Sequence, residues 1–351
     1  MLVLPYLVLM TVPIAWGTYT PIIKQLYTFE PPVPGLIFST AYYAVAFALL
    51  SLASSGWSWW SARDPDRGSD KTAGVSLVVE TTIHPNKEAN GDLQRASLEL
   101  SSYLFFGNIL QLIGLRTTSA TKSAFLVQLT TIIVPVLSSV LNKYPIKPST
   151  IAACLTAFVG VTILSLDSSA DATSISSILN SLNKGDILIL ISSISYSLHV
   201  VRLGTIAKDV DPTMLAINKS KYELFFGLIG CGVVCGFGGD LWIGNGDEFL
   251  AWGTHFWEEG MRNIEEVKTL AGSVLWTGGV TCGWTIWAQS FGQRQVKAEN
   301  ANLIYTAQPL ASAAFAYLLL GERLKGGGVV GAVLIGVALG IVLVEERREG
   351  I

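Results

Sequence analysis

Gly292–Leu324 reads GQRQVKAENANLIYTAQPLASAAFAYLLLGERL, and 178 positions earlier Gly114–Ile146 reads GLRTTSATKSAFLVQLTTIIVPVLSSVLNKYPI. Each stretch runs Gly-x-Arg, a short polar segment, an apolar span rich in small residues with one proline in its first half, then a turn. Few positions are identical, Gly114/Gly292, Arg116/Arg294 and Leu141/Leu319 among them, so the likeness lies in layout. A duplicated layout in an apolar chain points to a transporter built from two halves.

Half of the 351 residues are hydrophobic and 14% are charged, where about a quarter is usual for soluble domains. The chain belongs in a bilayer. Ten stretches lack Asp, Glu, Lys and Arg: 1–23, 31–62, 100–115, 123–142, 148–166, 187–201, 224–239, 269–293, 300–321 and 326–344. A spanning helix needs about 20 mostly apolar residues, so each can cross once with help from its flanks. Runs of this length without apolar/polar alternation exclude strands. The expected fold is all-α integral membrane, with ten transmembrane helices as two inverted five-helix repeats around a central cavity.

The net charge of −3 and the absence of a basic cluster with interleaved aromatics exclude a nucleic-acid partner. Cys154, Cys231, Cys235 and Cys282 all lie in expected spans, so no disulfide framework or metal set is read from them. Met1–Ile23 has no basic n-region or small-residue cleavage site, and reads as a first span rather than a removable signal. So abrupt a start leaves a missing presequence, and with it organelle targeting, open.

Five spans precede the polar connector and five follow it, and an odd number per half puts the halves in opposite orientations. The domains are a first repeat over 1–166, a connector over 167–184 and a second repeat over 185–345. Trp16-Gly17 and Tyr196-Ser197 stand 180 residues apart, in register with the later echo. Two polar insertions fall between the second and third helices of each half. The first, about 61–96, mixes both charge signs with Pro and Gly and reads as a disordered loop. The second, 240–268, is acidic and carries Trp242, Trp252 and Trp257, which fit a membrane-surface cap or ordinary interfacial aromatics. With both termini in the cytosol, thirteen Lys and Arg fall on inner segments and eight on outer ones, the expected positive-inside bias.

The stretch Asn302-Leu-Ile-Tyr-Thr-Ala-Gln-Pro309 leading to Leu320-Gly-Glu-Arg-Leu324 resembles the ninth helix, proline and closing signature of the EamA family of the drug/metabolite transporter superfamily. Thr118-Ser-Ala-Thr-Lys-Ser-Ala-Phe125 is similar to the same motif in the first half. The likeness covers both halves apart from the insertions. Asn142-Lys-Tyr-Pro-Ile146 stands where Gly-Glu-Arg-Leu is expected, and Thr131 stands opposite Pro309, with Pro135 four residues later. The resemblance implies two inverted repeats that move a small solute by alternating access, with helices three, four, eight and nine lining the cavity. It leaves the solute open.

A charge deep in a span costs about 2.5 to 3.5 kcal/mol on insertion scales and marks a functional candidate. If the seventh helix begins near Pro212, a rise of about 1.5 Å per residue puts Lys219 roughly 10 Å deep, Lys221 about 14 Å and Glu223 about 17 Å. Lys219 and Glu223 share a face, whereas Lys221 lacks a local partner and becomes the preferred contact for an anionic group. The competing reading is that these lysines snorkel to the inner surface. His199 is a candidate proton relay or a hydrogen-bonded core histidine. Asn108 and Gln111, with Gln289, Asn300, Asn302 and Gln308, must find partners in lipid, either the solute or another helix. Trp16 and Tyr305 fit an apolar platform or core packing. Pro135 and Pro309 each remove a helix hydrogen bond and are hinge candidates.

No catalytic or metal residues are read. Gly326-x-Gly328-x-x-Gly331 follows no strand, so it is not a dinucleotide site and no cofactor is called for. The expected function is a multi-pass carrier of a small metabolite, weakly favouring an anionic or zwitterionic solute on Lys221 alone. Its partners are solute and lipid, with a homodimer kept open, in a plasma or organelle membrane. The alternatives are a non-transporting scaffold or sensor built on the two insertions, and a lipid-acting enzyme, for which no acid/base set is evident.

Overall fold

The computed structural model describes residues 3–26, 29–63, 87–115, 117–118, 120–167, 183–237, 240–241, 244–258, 263–320 and 326–348. The fold is all-α. In the first half α1 is Val3–Gly17, α2 Tyr19–Leu26, α3 Gly35–Arg63, α4 Lys87–Gly114, α5 Ala120–Val127, α6 Thr130–Asn142 and α7 Pro148–Asp167. In the second, α8 is Lys184–Ile206 and α9 Pro212–Phe237, followed by a hairpin of two-residue strands, β1 Asp240–Leu241 and β2 Gly244–Asn245. Then come α10 Gly246–Glu258, α11 Ile264–Trp276, a π-helical stretch Thr277–Trp284, α12 Thr285–Gly292, α13 Ala298–Tyr305, α14 Gln308–Leu320 and α15 Gly326–Arg348.

Local chemistry sets several of these starts. Asn183 and Asp186 form a reciprocal capping box that opens α8. The Asp211 carboxylate accepts the Met214 amide at 2.8 Å, and Pro212 takes the first helical position of α9, where a missing N–H costs nothing. Lys143 closes α6 in the left-handed region at φ 56°.

Among the described residues, five helices are long and apolar enough to cross a membrane: Gly35–Ser55, Phe125–Asn142, Pro148–Ser165, Lys184–Ile206 and Gly326–Val344. The other expected spans depart from an unbroken apolar helix. The stretch 1–23 is divided at Thr18, α4 begins with the charges of the insertion, and α9 carries Lys219, Lys221 and Glu223. The stretch 269–293 widens into a π-helix, and 300–321 breaks at Thr306-Ala307. The first insertion is narrower than expected: 61–63 and 87–96 are helical ends, while 64–86, on which the disordered-loop reading rests, lie outside the described residues, as does Trp242. In the second, Phe249 of α10 packs with Leu36, Ile109 and Val234, and Trp252 stacks on Phe256.

Exchanging the halves maps several of the helix contacts onto one another. α4 lies against α8, as the π-stretch and α12 lie against α1; α4 lies against α9, as the π-stretch lies against α3. α6 meets α8, as α13 and α14 meet α1. Two pairs are their own counterparts: α3 with α9, and α7 with α15. The last is the tightest. A Cβ on Gly331 would stand 2.5 Å from the Gly160 carbonyl oxygen, and one on Gly160 would stand 2.8 Å from that of Gly331, so only glycine lets these backbones meet. Away from that seam, Val329, Val330, Val333 and Val337 of α15 and Phe225, Leu228 and Ile229 of α9 are exposed, an apolar surface suited to lipid tails.

Candidate functional site

Helices of both halves converge on a cavity of about 230 Å³ between them. Its lining follows the repeat. Leu104/Cys282, Asn108/Ile286, Gln111/Gln289, Val127/Tyr305, Gln128/Thr306 and Thr130/Gln308 all line it, and each pair is 178 positions apart. Trp16/Tyr196 and Tyr19/His199 line it at a separation of 180. The echo that opened the sequence reading is therefore carried into the cavity wall, with different chemistry at most of the paired positions.

The same register governs a break in the helices. α5 ends at Val127 and α6 starts at Thr130; α13 ends at Tyr305 and α14 starts at Gln308, both bounds 178 residues on. Tight i→i−3 bonds carry both joints, Leu129 N–H to Leu126 and Thr131 N–H to Gln128 in one, Thr306 N–H to Leu303 and Ala307 N–H to Ile304 in the other. Pro309 stands at its joint, whereas Pro135 lies five residues beyond its own, inside α6. Of the two hinge candidates, then, Pro309 coincides with a break and Pro135 does not. Thr131 takes the place of Pro309 in the first half and the break forms without a proline.

An amide and phenol network covers one wall. Asn108 donates through Nδ2 to the hydroxyl oxygens of Tyr42 at 3.1 Å and Tyr43 at 2.5 Å. The Tyr196 hydroxyl lies 3.1 Å from Asn108 Oδ1 and 2.8 Å from Gln111 Oε1, so its single proton is shared between two acceptors. Opposite, Tyr305 meets Trp16 edge to face at 5.4 Å and accepts from Gln293 Nε2 at 3.0 Å. Asn302 donates to the Thr130 carbonyl across the halves at 3.1 Å. Thr277, Thr281 and Cys282 reach the cavity from the π-helical stretch, a wide turn of a kind often found at functional sites. The stretch 178 positions earlier, 99–106, is ordinary α-helix.

α9 brings the charge. Lys219 and Glu223 are completely buried, one turn apart, yet they form no ion pair within 4 Å. Lys219 Nζ instead lies 3.0 Å from His199 Nε2 on α8. Glu223 lines the cavity, and neither carboxylate oxygen has a hydrogen-bond partner among the described residues. Lys221 is not part of the lining: it donates to Gln94 Oε1 at 3.2 Å and lies over the Tyr222 ring at 4.8 Å. The preference for Lys221 is corrected accordingly, because its side chain leaves α9 on the face toward α4.

Of the other candidates read from the sequence, Trp16, Asn108, Gln111, His199, Glu223, Tyr305 and Gln308 meet in this cavity, and Lys219 stands behind His199. Tyr42, Tyr43, Tyr196 and Gln128 were not singled out. Their signal was present: hydroxyls and amides in the middle of uncharged spans, which in lipid must find partners.

A described cavity between two interleaved helical halves defines a multi-pass membrane protein of the two-repeat kind. The EamA-like transporter family matches residues 3–166 and 183–344. The chain belongs to that family, within the drug/metabolite transporter superfamily, and is a membrane transporter in that general sense. A solved crystal structure superposes with a TM-score of 0.68 at 14% identity, with 99% of each chain covered, a likeness of fold alone. No curated protein matches.

Proposed function

We propose that the chain moves a small metabolite by alternating access, with the cavity between its halves as the solute site. The observation that carries this reading is the repeat-related lining: both members of six residue pairs 178 apart line the cavity, as expected where two inverted halves rock about a shared site. Aromatic side chains of Trp16, Tyr19, Tyr42, Tyr43, Tyr196 and Tyr305 and several amides form the wall, with Glu223 as its carboxylate and, among the described residues, no lysine or arginine. That composition suits a polar solute with a planar or apolar part. It favours the zwitterionic half of the sequence expectation, because the anionic half rested on Lys221. The volume lies below the roughly 300–1,000 Å³ of pockets for drug-sized ligands, which suits a small metabolite.

The test is uptake into proteoliposomes holding the purified protein, across a panel of amino acids, amines, sugars and organic acids. Saturable flux of a zwitterionic or neutral compound supports the reading. Absence of saturable flux for every compound would sink it. Residence in a plasma or organelle membrane and cytosolic termini belong to this proposal; the termini are checked by labelling single cysteines at the exposed positions 208, expected inside, and 265, expected outside.

A further inference from the structure

We propose that Glu223 is the recognition point for an organic ammonium group on the solute. The inference rests on the cavity being the solute site and names the chemistry of one corner of it. Four observations converge there. The Glu223 side chain is fully buried and lines the cavity, yet both its oxygens lack a hydrogen-bond partner among the described residues. A buried acceptor left without a donor costs about 1–3 kcal/mol, more when charged, so such a group in a wall is a place where a donor belongs.

The neighbours do not supply that donor. Lys219, one turn away on the same helix, directs its ammonium to His199 Nε2 at 3.0 Å, where it offsets the carboxylate's charge without contacting it. Asn108 gives its donors to Tyr42 and Tyr43, Gln111 accepts from Tyr196, and neither amide is bonded to Glu223. What remains unmet in this part of the cavity is an acceptor with several lone pairs, which an –NH₃⁺ group with three donors matches.

The surroundings suit a cation further. Tyr42 and Tyr43 sit beside each other, ring centroids 4.6 Å apart, on α3 facing α9, and both line the cavity with Glu223. Aromatic faces attract organic cations by about 0.5–2 kcal/mol according to exposure. A carboxylate solute with no ammonium group meets the opposite: a second negative charge brought against Glu223 in a desolvated space, with Lys219 and Lys221 outside the lining.

The test uses the full chain in lipid nanodiscs and three probes of one shape, benzylamine, benzyl alcohol and benzoate, with ethylamine as a smaller ammonium. Thermal midpoint is followed against probe concentration, since a ligand of the folded state raises it. Benzylamine or ethylamine should raise the midpoint, at concentrations where the alcohol and the acid leave it unchanged. Glu223→Gln should weaken ammonium binding at least tenfold, and Glu223→Asp should keep it. Should the glutamine variant fail to fold, the aspartate variant with the probe series still decides. The proposal is overturned if benzoate stabilises as well as benzylamine, if neither ammonium shifts the wild type, or if the glutamine variant binds ammonium as before. Binding is read without flux, so flux without ammonium preference fells this inference alone, and ammonium binding without flux fells the carrier reading alone.

Discussion

Tyr144, in the turn after α6, donates its hydroxyl to Glu299 in the first turn of α13 at 3.1 Å, and the two residues belong to different halves. Glu299 also accepts from Ser138 at 3.2 Å and is buried. The first half lacks the Gly-Glu-Arg-Leu ending of the second, and the Asn-Lys-Tyr-Pro-Ile found there supplies a bridge between the two fourth helices. Tyr144→Phe removes one donor from a buried carboxylate and should cost about 1 kcal/mol. The thermal midpoint of the purified protein measures it. An unchanged midpoint in both Tyr144→Phe and Ser138→Ala would show that the bridge holds nothing.

Lys122 and Asp186 make the matching link at the start of α5 and α8, an ion pair of 2.6 Å in which Asp186 is completely buried and also accepts from Thr118 at 2.9 Å. Lys122→Met leaves that carboxylate without its cation. The expected loss is about 2–3 kcal/mol, below the 3–5 of a fully interior pair because Lys122 keeps some exposure. The double variant Lys122→Met/Asp186→Asn should recover at least half of it. Additive losses in the double variant would argue that the two side chains act independently.

Gly107 leaves room for the Tyr196 ring: a Cβ there would stand 2.5 Å from Cε1. The ring cannot yield without pulling its hydroxyl away from Asn108 and Gln111. Gly107→Ala should therefore destabilise by about 1–3 kcal/mol through overpacking. It should also lower saturable uptake more than Gly91→Ala, where a Cβ meets nothing within 4 Å. Equal uptake by the two variants would remove Tyr196 from the site.

What was legible in the sequence was the scale of periodicity and charge. The two halves and the register of 178 follow from apolar runs and their spacing, whereas the lining by helices three, four, eight and nine was implied by the family resemblance, which did not name the first, second, sixth and seventh. That Asn108, Gln111 and Gln308 need partners was also legible, because an amide in lipid must meet either solute or a helix, but which of the two was not. Breaks were not legible, since Thr131 and Pro309 give the same joint and local propensity alone does not report it. Nor was the π-helical stretch, whose Gly278, Gly279 and Gly283 read equally well as close-packing glycines. The direction in which a side chain leaves its helix was also hidden. Lys219 and Lys221 are two residues apart and differ by about 200° around the axis, so a one-residue uncertainty in helix phase exchanges their roles.

That phase yields the last prediction. Depth and lack of a local partner favoured Lys221 over Lys219, and the structure reverses the order of expected effect. Lys221 donates to Gln94 near the charged start of α4, away from the lining, so Lys221→Ala should stay within about 0.5 kcal/mol of wild type, as typical substitutions away from buried networks do. Its uptake should stay close to normal. Lys219 is completely buried against His199, with Glu223 one turn on. Lys219→Met leaves the Glu223 carboxylate buried with its nearest cation gone, and a buried polar group left uncompensated costs about 1–3 kcal/mol, more when charged. The variant should melt lower and transport less, and Glu223→Gln placed on top of it should restore much of the stability while leaving uptake impaired, because the neutral amide removes the stranded charge and not the need for a carboxylate in the wall. If Lys221→Ala proved the more damaging change, the assignment of α9's phase, and with it the place of Glu223 in the cavity, would be wrong.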